Sequence, residues 1–340
     1  MPRRYRTLHD AYLDNLGMVY ERPQYRSSPR GNGCRERLNG TFIITRPRER
    51  VCFSSARRPN IVFHFAEALW YLACSDELEH IAYYAPSMRH LVPGSTRLMG
   101  TAYGPRIFGA DRYEDSQWQR VRRLLGQDDP DSKRACIQVF DSAELAVDGN
   151  ADVACTLGLQ FLLRSGRLHL TAYMRGNDAF RGALCDIFSF TLLQELMARS
   201  LGVELGDYCH VVGSMHVNDV DVPRVEAVLS EWRLSGARFT TPAFPAMPPG
   251  DNMRFVPIVV DYEHELRTAP STSFPPAGKQ FGELPAYWQQ VLLLFAIYRG
   301  LTREGETNPA LTGQLWPVYR HLLGLRWPQT KEIGGTAAAG

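Results

Sequence analysis

The stretch from Ala154 to Asp186, ACTLGLQFLLRSGRLHLTAYMRGNDAFRGALCD, restricts the fold more than any other part of the chain. Two strand-like runs flank Ser165-Gly166, a pair suited to a two-residue hairpin turn. If Arg164 pairs with Arg167, Thr156 faces Arg175. The first strand buries Leu159, Phe161 and Leu163. On the second, Leu168, Leu170, Ala172 and Met174 alternate with Arg167, His169, Thr171, Tyr173 and Arg175, so one face of that strand is polar. Cys155 lies one residue from the partner of a guanidinium. A thiol with an ordinary pKa of roughly 8.5 is mostly protonated at neutral pH, and a nearby cation can lower it into the reactive range.

The rest of the chain sets the context for that hairpin. With 340 residues, 44% hydrophobic and 11% aromatic, it can bury one large core or two smaller ones. A net charge of +2 argues against general nucleic-acid binding, and no nucleic-acid partner is expected. Arginines are concentrated before residue 59, however, and their planar fork suits anionic ligands such as phosphate. Seven cysteines without a CxxC pattern suit a reducing cytoplasm rather than a disulfide framework. The N-terminus lacks the apolar run of a signal peptide, and the apolar run Val291 to Ile297 is too short to span a bilayer. A cytoplasmic protein with no membrane partner is expected.

Read in order, the chain predicts a helix over 5–20, a Gly- and Arg-rich loop through PRGNG and beyond, short strands at 41–45 and 51–53, and a buried helix at 61–74. Glu67 sits in the middle of that apolar helix, where a lone carboxylate is costly unless paired, hydrogen-bonded or protonated. The segment GTAYGPRIFG has three glycines that allow close backbone approach. Further expectations are a helix at 115–126, a strand opening at Lys133-Arg134, a helix at 189–202 capped by Gly202, a strand from 211 that leaves for a polar loop at 216–218, a strand at 254–262 and a helix at 286–299. No strong break divides the chain, so residues 1–330 read as one α/β domain, with 331–340 as a mobile tail.

Cys155 alone proves little, because buried cysteines are usually inert. His210 and His216 allow a Cys-His hydrolase, but no known signature of that kind surrounds Cys155. Cys209, His210 and His216 match no common metal-ligand spacing, and no metal is expected.

At MRGNDAFRGALCD, the FTLLQELMARSLGVELGDY segment and GSMH, the chain resembles the thymidylate synthases and pyrimidine-nucleotide hydroxymethylases. The resemblance spans most of residues 20 to 220. It implies a thymidylate synthase-like fold, a mixed twisted sheet flanked by helices and dimerising through the sheet. It also implies 5,10-methylenetetrahydrofolate as co-substrate and a pyrimidine nucleoside monophosphate as substrate. Cys155 then takes the role of the thiolate that adds to C6 of the base, Glu67 that of the glutamate ordering water and moving protons, and Tyr103 that of a tyrosine beside the thiol. Gln160 matches a glutamine near the nucleotide. Arg175 and Arg30 match phosphate arginines, and Lys133 and Arg134 match a pair that reaches the phosphate from the partner subunit of an obligate homodimer. Asp178 falls where the family contacts folate, and His216 where it contacts the sugar 3′-hydroxyl.

Departures from the pattern carry the substrate. Asp186 stands where thymidylate synthases have an asparagine that reads uracil, and a carboxylate accepts from the cytosine 4-amino group instead. Gly176 replaces a serine that holds phosphate, Lys133 an arginine, and Asn218 a tyrosine beside the sugar. Together these resemble the CMP hydroxymethylases of nucleoside-antibiotic pathways such as mildiomycin, so CMP is the expected substrate. Residues 85–100 contain no tryptophan, which suits water rather than hydride as the final nucleophile. The alternatives are a dCMP hydroxymethylase, a methylating enzyme on the same fold and a non-catalytic nucleotide- or RNA-binding relative.

Overall fold

The computed structural model describes residues 1–110, 114–235, 242–270, 274–275, 281–305 and 308–330. Among these, seven strands form one mixed sheet: β1 (Arg3–Tyr5), β2 (Tyr25–Ser27), β3 (Cys34–Ile44), β4 (Cys136–Gln138), β5 (Thr156–Arg164), β6 (Arg167–Asp178) and β7 (Glu204–Asn218). The order is β1-β3-β7-β6-β5-β4, with β2 paired to the start of β3. The β1/β3 and β6/β7 pairs are parallel and the others antiparallel. The helices are α1 (Leu8–Glu21), α2 (Ile61–Leu72), α3 (Leu78–Tyr84), α4 (Gly104–Phe108), α5 (Gln117–Arg123), α6 (Gly182–Leu201), α7 (Val222–Ser235), α8 (Val256–Thr268), α9 (Ala286–Arg299), α10 (Pro309–Gln314) and α11 (Pro317–Arg326).

Period-two alternation decides which side of the sheet is covered. On β6, Leu168, Leu170, Ala172 and Met174 are buried, while Arg167, His169, Thr171, Tyr173 and Arg175 stay at least partly exposed. α1 and α6 pack on the buried side, against β3, β6 and β7. α2 lies on α6, where Phe65 meets Phe188 edge to face at 5.0 Å. That packing brings the middle of α2 to the first turns of α6. One buried apolar cluster runs from Leu8 to Leu325. Among the described residues, no helix is long and apolar enough to cross a membrane.

The hairpin forms where expected. Ser165 and Gly166 both have positive φ, 50° and 70°, as a two-residue turn matched to strand twist requires. Arg164 pairs with Arg167, but a bulge between Thr156 and Gly158 shifts the far end, and Thr156 faces Met174 rather than Arg175. The shift places Cys155 itself beside Arg175, whose N–H donates to the Cys155 carbonyl at 2.8 Å.

Other expectations need correcting. The Arg-rich segment after PRGNG is not a loop: residues 34–40 belong to β3, paired with β7 through Asn218, so His216 to Asn218 are strand and not a polar loop. Residues 51–53 form no strand. The segment read as a strand at 254–262 is the start of α8, with Val256, Val259, Tyr262 and Leu266 on its buried side. The strand after Lys133-Arg134 is short, Cys136–Gln138, and the helix read from 189 begins at Gly182. Gly202 caps that helix in the left-handed region, as expected. The tail 331–340 lies outside the described residues.

Candidate active site

The backbone leading to Cys155 is gripped from three sides. Buried Glu144 accepts the Ala154 N–H at 2.7 Å and is itself paired with Arg106 of α4. Arg175 binds three consecutive carbonyls: its backbone N–H reaches Cys155, Nε reaches Ala154 at 2.9 Å and a terminal nitrogen reaches Val153 at 2.8 Å. Buried Asp152 accepts the N–H groups of Met99, Gly100 and Thr101 at 2.6, 3.0 and 2.8 Å. These bonds tie the loop before Tyr103 to the loop before Cys155. A Cβ at Gly100 would sit 2.3 Å from the Asp152 carbonyl oxygen, and one at Gly104 would sit 2.6 Å from that of Tyr71. Glycine is therefore required at both crossings, which accounts for the GTAYG pattern.

Cys155 is half-buried. Burial pushes its thiol above the ordinary range, Asp186 and Asp152 push the same way, and Arg175 and Arg30 pull down without overcoming it. Arg175 does pull the thiol down as expected, but the net lowering is corrected: desolvation outweighs the cation. Arg30 sits in the left-handed region at φ 53° and reaches the Ala151 carbonyl at 3.4 Å.

Two carboxyls accompany the thiol: Asp186 acts on it directly, and Glu67 lies within electrostatic reach of Asp186. Glu67 is 7% exposed and accepts a hydrogen bond from Ser189 at 2.9 Å. Burial, reinforced by Asp186, raises it to about 8. Asp186 is raised to about 7 by burial, against an opposing hydrogen bond from Asn177, with Asp178 adding to the rise. The two titrate as a pair, and near neutrality they share protons that isolated carboxyls would have lost. Tyr103 stacks on Tyr71 with ring centroids 5.1 Å apart. Burial first, then Asp186 for Tyr103 and Glu67 for Tyr71, holds both phenols well above their usual range. A thiol, two protonatable carboxyls and two phenols in one partly buried place can support addition to an unsaturated ring with proton transfers on either side of it.

The far ends of β6 and β7 hold a second group. Asp178 accepts from the N–H groups of Phe180 and Arg181, both at 2.8 Å, and from Asn218 Nδ2 at 2.8 Å. His216 is in register with Asp178 on one side and Glu36 on the other. A Cβ at Gly176 would meet nothing closer than the Ser214 carbonyl at 3.7 Å, so a small side chain would fit there. Lys133, Arg134 and Gln160 are not brought to this place within one chain. Gln160 donates to the Lys133 carbonyl and accepts from Tyr173 on the outer side of the sheet, and Arg134 is exposed, 3.7 Å from Asp129.

Residue spacing did not reveal Asn177, Ser189 and Tyr71, nor what His210 does. Cys209 and His210 point to opposite faces of β7, which separates the adjacent pair considered for a metal. His210 is fully buried, with Tyr208 and Val212 on the same face, and its ring nitrogens meet Tyr208 and Asn177. A histidine at an apolar step of an alternating strand was the available signal.

The thymidylate synthase family profile matches residues 10–242. A deoxyuridylate hydroxymethyltransferase of Pseudomonas phage M6 is 32% identical over 179 residues, covering 52% of this chain and 50% of that protein. The chain thus spans about half the length of that relative. A deoxyuridylate hydroxymethyltransferase of Bacillus phage SP01 is 26% identical over 307 residues, covering 87% of this chain and 74% of the relative. With the mixed sheet, the gripped cysteine and a profile match over more than half its length, the chain belongs to the thymidylate synthase family.

Proposed function

We propose that the protein is a folate-dependent 5-hydroxymethylase of a cytidine monophosphate, with CMP preferred, resembling the CMP hydroxymethylases of nucleoside-antibiotic pathways. The observation that carries this reading is Asp186: a half-buried carboxyl, raised by desolvation, at the position where the family's asparagine reads the base. A carboxyl there accepts from the cytosine 4-amino group and delivers a proton to N3 as the thiolate adds.

In this reading Cys155 Sγ bonds to C6, with Arg175 holding the backbone before it, and C5 becomes the carbon nucleophile. Bound 5,10-methylenetetrahydrofolate supplies the one-carbon unit. Glu67, steadied by Ser189, orients the water whose oxygen ends on the exocyclic carbon. The C5 proton leaves and the Sγ–C6 bond breaks, so nucleotide, methylene unit and water give a 5-hydroxymethyl nucleotide and tetrahydrofolate. Arg30, Arg175 and the partner's contribution from Lys133 and Arg134 hold phosphate, while His216 and Asn218 hold the sugar. Gly176 leaves room around them. Near Asp178, Arg57 and Arg224 lie over the Phe180 ring at 4.7 and 4.9 Å, a cationic surface that fits a folate carrying carboxylates. The exposed polar side of β6, with Gln160 and the Lys133–Arg134 pair at its margin, supports a homodimer through the sheet. The continuous apolar cluster supports a single catalytic domain over 1–330.

A second reading keeps the chemistry and changes the base. Both phage relatives are named for deoxyuridylate, and a neutral Asp186 offers one donor and one acceptor, as asparagine does. Asp186→Asn separates the two readings. It is expected to lower kcat/KM for CMP by about tenfold or more while raising that for UMP, since the unmade hydrogen bonds are worth about 1–3 kcal/mol. Unchanged preference for CMP in Asp186→Asn would remove Asp186 as the base reader.

A further inference from the structure

We infer that the buried chain Tyr208–His210–Asn177 fixes which oxygen of Asp186 carries the proton, and thereby which pyrimidine the site accepts. The inference rests on Asp186 as the base reader, without presupposing which base is preferred. Cytosine presents an amino donor at C4 and an acceptor at N3, whereas uracil presents the reverse. A neutral carboxyl whose proton moves between its oxygens satisfies either base. Discrimination therefore needs something that pins the proton.

The Tyr208 hydroxyl lies 2.8 Å from His210 Nδ1, and His210 Nε2 lies 3.1 Å from Asn177 Oδ1. Asn177 Nδ2 donates to Asp186 Oδ2 at 2.7 Å. Tyr208 and His210 are 0% exposed and Asn177 3%, so water does not compete for the Tyr208–His210 and His210–Asn177 bonds. Burial keeps His210 neutral, down to about 3, so its ring carries one N–H. With the Tyr208 hydroxyl donating to Nδ1, that N–H belongs to Nε2 and goes to the Asn177 oxygen. The amide is then turned with its nitrogen toward Asp186. Oδ2 accepts this hydrogen bond, and a proton arriving at the carboxyl is directed to Oδ1.

Other groups around Asp186 leave this pinning to Asn177. Glu67 of α2 and Asp178 of β6 are carboxyls, while Tyr71, Tyr103, Cys155, Cys185 and Tyr208 face it with groups held protonated by burial. Among the described residues, only Asn177 donates a hydrogen bond to Asp186. Gly182 keeps the contact open: a Cβ there would come within 3.2 Å of Asn177 Nδ2 and 3.3 Å of Asp186 Oδ2.

The test compares kcat/KM for CMP and UMP, with 5,10-methylenetetrahydrofolate, in the full-length wild type, Tyr208→Phe and Asn177→Ala, with thermal unfolding of each. The expected result is a ratio between preferred and rejected base that shrinks at least about tenfold in Asn177→Ala and less in Tyr208→Phe, through a gain on the rejected base. A purely structural role would lower both bases together and leave the ratio where it was. Should Asn177→Ala fail to fold, Tyr208→Phe, which removes one oxygen, decides. Folded, active variants with the wild-type ratio would overturn the inference. A wild type that prefers uracil would instead remove the cytosine assignment, and the chain would still be judged by the change in ratio.

Discussion

At the scale of single residues, the site is built on carboxyls that burial keeps from ionising. Glu67 and Asp186 hold protons in the folded protein up to about 8 and about 7, whereas in the unfolded chain they release them near 4.5 and 3.8. Between those limits the folded state binds more protons, so stability falls as pH rises through the window and stays at its lower level above it. Glu67→Gln removes one such group. Its melting temperature relative to wild type is expected to be higher at pH 8 than at pH 5, on the order of 2–4 °C for each kcal/mol recovered. Equal differences at both pH values would show that Glu67 is ionised throughout. How much of this was legible differs by residue. Cys155, Glu67 and Asp186 could be picked out because their neighbours match a family pattern, and Glu67 also because a carboxylate inside IVFHFAEALWYLAC demands an explanation. The Asn177–His210 contact was not, because the two are not register partners: Asn177 pairs with Met215 and His210 with Ala172, and their side chains meet along the covered face. The raised thiol was missed because spacing brings Arg175 near Cys155 but says nothing of how little water reaches either.

At the scale of elements, alternation and turn chemistry made the β5–β6 hairpin readable, while two other elements were hidden by composition. Residues 34–40 look like a loop because Arg35, Glu36 and Arg37 are charged, yet β7 supplies the pairing that makes them strand. The Val- and Ile-rich start of α8 looks like a strand, yet Pro257 at the first turn and a buried stripe at helical spacing make it a helix, tertiary packing overriding β-branched preference. α8 lies beyond the stretch that the family profile matches, and it is fastened to α3 by a buried ionic knot. Burial pushes Glu263 up, but His80, Arg267 and Tyr84 outweigh it and bring the carboxyl to about 2. Its Oε1 accepts from Tyr84 at 2.6 Å and Arg267 at 2.8 Å, and His80 lies 3.2 Å from Oε2. A depressed carboxyl stabilises the fold above its unfolded value, and that contribution is lost as pH falls from about 4.5 toward about 2. Glu263→Gln, which strands Arg267 and His80 in the interior, is expected to lower stability at pH 7 by roughly 3–5 kcal/mol and to flatten the acid limb, measured by urea unfolding at pH 7 and pH 3. A change below about 0.5 kcal/mol would show that the knot is incidental.

At the scale of the whole molecule, one chain holds the thiol and the carboxyls, with His216 and Asn218 at the end of β7, but leaves Lys133, Arg134 and Gln160 on the outer side of the sheet. In the homodimer proposed above, packing through that side would bring a partner's cations to the phosphate. The double variant Lys133→Ala/Arg134→Ala and the single variant Cys155→Ala are each expected to be inactive or nearly so. Mixed under conditions that exchange subunits, they should regain activity, because one of the two sites then has a wild-type cysteine and a wild-type partner. No regain after exchange proven by mass would place both sets of groups in one subunit. The central claim, a hydroxymethyl group placed on a cytosine ribonucleotide, is tested most directly by product mass. The protein is incubated with 5,10-methylenetetrahydrofolate and, separately, CMP, dCMP and dUMP, and each nucleotide is weighed while the folate spectrum is followed. CMP should gain one CH2O unit fastest and the folate should end as tetrahydrofolate, whereas a gain of CH2 with dihydrofolate, or faster conversion of dUMP or dCMP, would contradict the account.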